Sequence, residues 1–293
     1  MRRLIGILLL ALGAIGTQAH PQLRPPDHGA SPKRIISLAP SVTEALFAVG
    51  LGPRVVGVTS YCKYPPQVTR IAKIGGYIKP NYEAIVRLKP DLAVLLSEHA
   101  DVEPAINALG IKILRLDHNS VSGILASIIK TGDYTGVAPQ AEALLGELQN
   151  RLDAVSRAVA NRPKPRVVLC LGRDPDGTFR SMHAAGPGGI YDDLIARAGG
   201  INAIPPGPVL HPVLSVESLL RLNPDVIVEF ASEARNPTVL RAQWQSLDSL
   251  QAVRAGRVFV FTGDFIPVPG PRLVRFVGDL ARVLHPEAQW SRP

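Results

Sequence analysis

The sequence is poor in the residues that build metal centres and disulfide frameworks. It has only two cysteines in 293 residues, Cys62 and Cys170, and its histidines show neither H-E-x-x-H nor paired-cysteine spacing. A dedicated zinc site is therefore not predicted. A disulfide between the cysteines remains an alternative in an oxidising compartment. Cys170 lies in an apolar run, however, where a free cysteine behaves as a small hydrophobe.

Nucleotide-binding and hydrolase motifs are also missing. The sequence contains no strand-linked G-x-G-x-x-G, no Walker loop and no G-x-S-x-G elbow. Charged residues make up 19% of the chain, and the formal net charge of +8 is spread singly, without a basic block. Nucleic acid is therefore not an expected partner. With 46% hydrophobic residues, the chain is long enough for two compact domains with cores of their own.

The N-terminus has the composition of an export signal. Met1-Arg2-Arg3 is basic, residues 4–15 are almost wholly apolar, and Thr17-Gln18-Ala19 places small residues at the two key cleavage positions. This pattern predicts a signal peptide over residues 1–19, a flexible leader over 20–33 and a periplasmic protein. The apolar run is short for a membrane-spanning helix. No cysteine follows it, so a lipid anchor is not expected.

One stretch occurs twice. Residues 81–94 and residues 215–228 both read Glu, three residues, Arg-Leu, one residue, Pro-Asp, and then an apolar run. Asn81 and Ser215 can each cap a short helix, and the apolar runs suit strands buried on both faces of a parallel sheet. The repeat places Glu83 and Glu217 at equivalent positions. The helix dipole alone can favour a carboxylate in the first turn of each helix. The matched positions of the two glutamates also suggest a shared surface role.

The repeat and the alternation of strands and helices predict an α/β protein with two parallel-sheet lobes and a cleft between them. The lobes are expected at residues 34–136 and 163–287, with a tail at 288–293. Apolar residues at helical spacing from Ala141 to Val159 predict one long helix within residues 137–162 that joins and packs along both lobes. Ser41 and Glu44 have the spacing of a capping box, so Glu44 is expected to cap the first helix.

Several segments resemble those of the helical-backbone substrate-binding proteins of ABC importers. They are the strand and helix at 34–50, the Tyr-x-x-Tyr-Pro-Pro stretch at 61–66, both repeat copies, and Thr262-Gly263-Asp264 before Gly270-Pro271-Arg272. The likeness runs over residues 34–285 and is strongest to the cobalamin-binding members. It implies capture of a corrinoid and its delivery to a permease dimer in the inner membrane by a monomer that has no catalytic cofactor.

The resemblance also assigns roles to individual residues. Positions that line the corrinoid cleft in the family correspond here to Tyr61, Tyr77, His211, Asp264 and Phe265. Glu83 and Glu217 correspond to the two glutamates that dock onto permease arginines. Tyr77, His211 and Phe265 stand where the cobalamin-binding protein has tryptophans, and His211 is a candidate axial ligand for the metal of a macrocycle.

Two alternatives remain open at this point. The first is a haem-binding or ferric-siderophore-binding protein on the same scaffold, in which Tyr61 or Tyr77 ligates iron. The second is an exported α/β enzyme, although the sequence shows no catalytic triad and no metal cluster.

Overall fold

The computed structural model describes residues 31–173 and 179–290. The predicted signal peptide, most of the leader and the last three residues of the tail lie outside these ranges. The described chain forms two sheets, each flanked by helices, and it confirms the predicted two-lobe α/β fold.

The N-terminal sheet is parallel throughout, as predicted. It contains β1 (Ile35–Ser37), β2 (Val55–Val58), β3 (Ala72–Lys73), β4 (Leu92–Leu96) and β5 (Lys112–Leu116), in the order β3-β2-β1-β4-β5. Its helices are α1 (Pro40–Ala48), α2 (Tyr82–Arg87), α3 (Glu103–Ala108) and α4 (Val121–Thr135). Every residue of β1 and β4 is buried, because helices cover both faces of the sheet.

The C-terminal sheet has a parallel centre and an antiparallel extension. Its strands are β6 (Arg166–Arg173), β7 (Ser181–Ala184), β8 (Ile201–Asn202), β9 (Val213–Ser215), β10 (Val226–Ala231) and β11 (Val258–Thr262). The order is β11-β10-β6-β7-β9, and β8 pairs with β6. Strand β7 runs antiparallel to β6 and β9, which departs from the expected all-parallel sheet. The helices are α6 (Ile190–Arg197), α7 (Val216–Leu222), α8 (Pro237–Gln243), α9 (Gln251–Arg254) and α10 (Pro271–Leu284).

A 22-residue helix, α5 (Ala138–Val159), lies between the two sheets in the chain. It contacts α4 of the N-terminal half and α10 of the C-terminal half. Its buried residues lie on one face, as the sequence periodicity predicts. On its polar face, Glu147 accepts hydrogen bonds from the Arg275 guanidinium of α10 at 3.0 and 3.1 Å. Helix α5 is therefore anchored to both halves of the molecule.

The two repeat copies have the same local structure. Asn81 caps α2 and Ser215 caps α7, each by accepting a backbone N–H three residues on. The aspartate of each Pro-Asp pair ties the neighbouring strand to the repeat. Asp91 accepts the N–H of Arg34 before β1, and Asp225 accepts the N–H of Arg166 at the start of β6. The repeat thus fixes where each sheet's adjacent strand begins.

The expected capping role of Glu44 is wrong. Helix α1 starts at Pro40 with Ala39 as its N-cap, and no side chain caps it. The Glu44 side chain is only 4% exposed and forms an ion pair with Arg272 of α10, 228 residues away in the chain. A tertiary ion pair therefore takes the place of the local hydrogen bond that the spacing indicated.

Both cysteines are free and buried. Cys62 lies against the hydroxyls of Thr43 and Thr59, with Sγ–O distances of 3.2 and 3.1 Å. Cys170 lies within β6 of the other lobe, where burial raises the pKa of its thiol to about 12. The thiols therefore serve as small core side chains.

Candidate functional site

A large cleft opens where the carboxyl ends of the two sheets face each other. Its volume is about 1310 Å³. The walls include Leu96 at the end of β4, Leu171 in β6, the first residues of α1, and residues that directly follow β10 and β11. Open α/β sheets bind ligands at this edge. The volume exceeds the roughly 300–1,000 Å³ that is typical of pockets for drug-sized ligands, so it suits a ligand larger than a sugar or an amino acid.

Two loops that are tied together form the N-terminal wall. The N–H of Ser60 donates to the carbonyl of Gly75 at 2.8 Å, which joins the segment after β2 to a turn at residues 75–80. Tyr61 projects from this platform and is 63% exposed. Its hydroxyl has no hydrogen-bond partner within the described residues. Tyr61 therefore offers both a ring face and a free hydroxyl to a ligand.

Tyr77 lines the same wall, but its polar group is already engaged. The Tyr77 hydroxyl donates to Glu98 Oε1 at 2.7 Å, and its ring meets the edge of His99 at a centroid distance of 4.5 Å. Burial and the hydrogen bond to Glu98 both raise the pKa of Tyr77. Tyr77 is thus a neutral, fixed aromatic surface.

His211 lies on the C-terminal wall, in a loop that backbone hydrogen bonds hold on both sides. Gly186 N–H donates to the Leu210 carbonyl at 2.8 Å, and Ala184 N–H donates to the Pro212 carbonyl at 2.9 Å. The imidazole is exposed and stands edge-on to the Tyr191 ring at 6.0 Å. Neither ring nitrogen has a hydrogen-bond partner in the described parts of the chain. His211 is therefore positioned precisely enough to contact a ligand and is free to do so.

Asp264 also lines the cleft, but its carboxylate is neutralised by Arg272. Arg272 Nη1 donates to Asp264 Oδ1 at 2.7 Å, and the same guanidinium contacts Glu44 and lies 3.7 Å from the centroid of the Tyr64 ring. This cluster joins α1 and the β2 loop to α10. Phe265 is not among the cleft-lining residues of the described chain; its ring packs against Phe276 at 5.7 Å.

The glutamates of the repeat lie away from the cleft. Glu83 is in the first turn of α2, is 75% exposed and pairs with Arg87 four residues on. Glu217 is exposed in the first turn of α7, where the Ser215 hydroxyl lowers the pKa of its carboxyl by hydrogen bonding. Arg221 stands four residues after it. The structure therefore presents two equivalent carboxylates, one on each half of the molecule.

Comparison with known proteins identifies the family. The periplasmic binding protein family model matches residues 35–264. The chain belongs to the periplasmic binding protein family. It is similar to YvrC of Bacillus subtilis, an uncharacterized ABC transporter substrate-binding lipoprotein, with 29% identity over 87% of this chain and 81% of YvrC.

Two solved structures resemble this periplasmic binding protein closely. The vitamin B12 binding protein BtuF of Vibrio cholerae has a TM-score of 0.76 at 26% identity, over 87% of this chain and 98% of that chain. A periplasmic heme binding protein of Pseudomonas aeruginosa has a TM-score of 0.73 at 25% identity, over 89% and 96%. Both likenesses extend over both lobes and the connecting helix.

The cleft of this periplasmic binding protein includes residues that sequence reasoning missed. Tyr191 and Phe230 form an aromatic floor, with ring centroids 5.9 Å apart, and Lys63 and Lys79 line the N-terminal wall. Tyr191 also donates its hydroxyl to the Ile266 carbonyl at 3.0 Å. No short motif marks any of these residues, because segments far apart in the sequence bring them together: helix α6, the end of β10 and the two loops of the N-terminal wall.

Two absences are findings of the described residues alone. Residues 31–173 and 179–290 contain no group of three or more His, Cys, Asp or Glu side chains placed to hold a metal ion. Over the same ranges no helix is both long enough and apolar enough to span a membrane.

Proposed function

We propose that this periplasmic binding protein captures a corrinoid in its cleft and delivers it to the permease of an ABC importer. The main support is the 1310 Å³ cleft, whose walls carry Tyr61, Tyr77 and Tyr191. Aromatic rings stack well on flat ligands, and a corrinoid is a flat macrocycle too large for an ordinary pocket. The likeness to a vitamin B12 binding protein over both lobes favours the same ligand class.

The mechanism is binding and handover without a chemical step. Tyr61 and Tyr77 would contact one side of the macrocycle and His211 the other, while Asp264 contributes through its pairing with Arg272. Phe265 supports this wall from behind, by packing on Phe276. An exported, monomeric protein with lobes at 34–136 and 163–287, joined by the helix within 137–162, completes the proposal.

His211 is proposed as an axial ligand of the bound metal. Its unpartnered nitrogens and anchored backbone make it available, and neutral imidazole binds transition metals well. His211→Ala should then change the visible spectrum of the bound ligand as well as its affinity. His183→Ala, at an exposed histidine on β7 outside the cleft, is the matched control. An unchanged spectrum with a modest loss of affinity would leave His211 a stacking or hydrogen-bonding role only.

Haem is the second candidate ligand, favoured by one observation. The exposed Tyr61 hydroxyl has no partner in the described chain, so it is available to ligate iron, whereas the Tyr77 hydroxyl already binds Glu98. The likeness to a heme binding protein supports the same alternative. A ferric siderophore would use the same group.

Absorbance titrations of the purified chain beginning at His20 test the proposal. Cyanocobalamin, cobinamide, haem and a ferric siderophore would be added separately and their spectra recorded to saturation. Saturable 1:1 binding of a corrinoid, tighter than that of haem or the siderophore, supports the proposed ligand. Binding of haem or the siderophore with no corrinoid binding would overturn it.

A further inference from the structure

We propose that Lys63 and Lys79 form a cationic subsite on the N-terminal wall of the cleft, which binds an anionic group at the edge of the ligand. The group would be a phosphodiester or a carboxylate. This inference rests on the proposed function, because it names the ligand chemistry that the same cleft recognises.

The backbone places both lysines on the same platform as Tyr61. Lys63 follows Tyr61 by two residues, and Lys79 closes the turn in which Gly76 N–H donates to the Lys79 carbonyl at 3.1 Å. The Ser60–Gly75 hydrogen bond joins the two segments, and Gly76 lies beside the Tyr61 ring. Both lysines line the cleft and are exposed. The two ammonium groups therefore flank the aromatic surface expected to hold the macrocycle.

Neither ammonium group is engaged with the protein. Within residues 31–173 and 179–290, no carboxylate or carbonyl accepts a hydrogen bond from Lys63 or Lys79, and neither forms an ion pair. Lys73 on the neighbouring strand differs, because its ammonium donates to the Cys62 and Val68 carbonyls at 3.2 and 3.3 Å. Lys73 thus has a structural role, whereas Lys63 and Lys79 keep their hydrogen-bonding capacity for a ligand.

The two walls of the cleft differ in charge. The C-terminal wall carries Glu233 and Asp264, and of these two only Asp264 is paired with Arg272. On the N-terminal side, Glu98 accepts the hydrogen bond of the Tyr77 hydroxyl and is not one of the residues that line the cleft. The N-terminal wall is therefore positive and the opposite wall negative. A ligand with one anionic edge would bind in a defined orientation, with that edge toward the lysines.

Two ligand classes could supply the anionic edge, and paired analogues distinguish them. Cobalamin carries a phosphodiester in its nucleotide loop, which cobinamide lacks. Haem carries two propionates, which its dimethyl ester masks. Each pair keeps the macrocycle and removes the negative charge. Cobinamide also lacks the ribose and the base of the nucleotide loop, so the contribution of the subsite is the part of each within-pair difference in affinity that substitution of the lysines abolishes.

The decisive experiment measures the dissociation constants of all four ligands by titration. The proteins are wild type, the double variant Lys63→Gln/Lys79→Gln, and the control Lys164→Gln, which alters an exposed lysine before β6, outside the cleft. Wild type should bind the charged member of one pair about tenfold more tightly than the uncharged member, because each partly exposed ion pair contributes about threefold to fivefold. In the double variant that preference should disappear, whereas Lys164→Gln should retain it. Raising ionic strength should weaken binding of the charged ligand to wild type and leave the double variant unaffected.

The outcomes separate this inference from the proposed function. If wild type binds cobalamin and cobinamide equally and the double variant matches it, the subsite is refuted while the corrinoid proposal stands. If neither corrinoid binds and the preference occurs with haem and its ester, the subsite is supported and the corrinoid proposal fails. Absence of binding by all four ligands overturns both.

Discussion

The ion pair between Glu44 and Arg272 is a buried polar link between the two halves of the protein. Glu44 is 4% exposed and Arg272 is 18% exposed, so neither charge is well hydrated. Burial raises the pKa of the Glu44 carboxyl in spite of its contact with Arg272. The substitution Arg272→Met would leave this carboxylate without its partner and would also remove the contact with Tyr64.

The expected cost is about 3 kcal/mol, the lower end of the range for breaking a buried ion pair from one side. This corresponds to a fall in Tm of roughly 6–12 °C for a domain of this size class. Arg272→Met leaves both Glu44 and the more exposed Asp264 without their partner. Adding Glu44→Gln removes the more deeply buried of these two charges, so the double variant should recover about 1–2 kcal/mol of the loss. Arg272→Lys should lie between wild type and Arg272→Met, because lysine keeps the charge but not the planar, multidentate contact.

The pH dependence gives the prediction a sign. When folding raises the pKa of a carboxyl, the folded state binds the proton at a higher pH than the unfolded state does. Stability therefore falls as pH rises above the ordinary value of 4.5. Without Arg272 the carboxylate is disfavoured further, so the deficit of Arg272→Met should be larger at pH 7.5 than at pH 5. Urea unfolding of these four proteins and of the single variant Glu44→Gln, at both pH values, measures this. A deficit that does not change with pH, together with additive effects of the two substitutions, would refute the reasoning.

Three further predictions concern packing, a buried histidine and docking. Gly132→Ala on α4 should destabilise the protein by about 2 kcal/mol, because the added methyl would lie 2.4 Å from Ala141 Cβ on α5. The control Gly146→Ala on α5 has no atom within 4 Å of the added methyl and should be neutral or stabilising by up to about 1 kcal/mol. Equal melting temperatures for the two variants would count against the close helix contact. Burial lowers the pKa of His118 to about 4, against the opposing effect of Glu98 and Asp117, so the free energy of unfolding of wild type should fall by up to about 3 kcal/mol between pH 6.5 and pH 4. In urea titrations, His118→Gln should lose measurably less stability over that range. The same dependence of stability on pH in both proteins would contradict the assignment. The double variant Glu83→Ala/Glu217→Ala should shift Tm by less than about 3 °C and keep its ligand affinity, because both carboxylates are exposed and outside the cleft. Its transport in a reconstituted system should be well below that of the control Glu142→Ala, which alters an exposed glutamate on α5. Normal transport by the double variant would exclude the docking role.

Local signals in the sequence predicted most of the fold. The capped repeats, the apolar strands and the single-faced periodicity of α5 each depend on residues close in the chain, and the structure contains all three. The sequence did not predict helix α4, because Ser127, Thr131 and Thr135 lie on its buried face. Their hydroxyls are satisfied by carbonyls within or just before the helix, at 2.6–3.1 Å. Polar residues on a buried face conceal the hydrophobic period that a sequence search relies on.

The cleft was less predictable, because it depends on contacts between distant segments. Glu44 has the spacing of a cap, yet its partner Arg272 lies on the last helix. Phe265 directly follows Asp264, but its ring turns to the core and meets Phe276. Lys63 and Lys79 belong to no motif, and only the hydrogen-bonded loops place them beside Tyr61. Spacing alone could not distinguish residues that line the cleft from those that support it.

The central claim is that a corrinoid binds in the cleft. The most direct test is a calorimetric titration with cyanocobalamin that compares wild type with a variant in which a bulky side chain fills the cleft. Ala234 lines the cleft in an exposed segment after β10, so Ala234→Trp would fill space without disturbing the core. Ala160→Trp at the exposed end of α5 is the control. We predict 1:1 binding to wild type and to Ala160→Trp, with affinity reduced at least about tenfold in Ala234→Trp. Absence of binding to wild type, or equal affinities for all three proteins, would contradict the account.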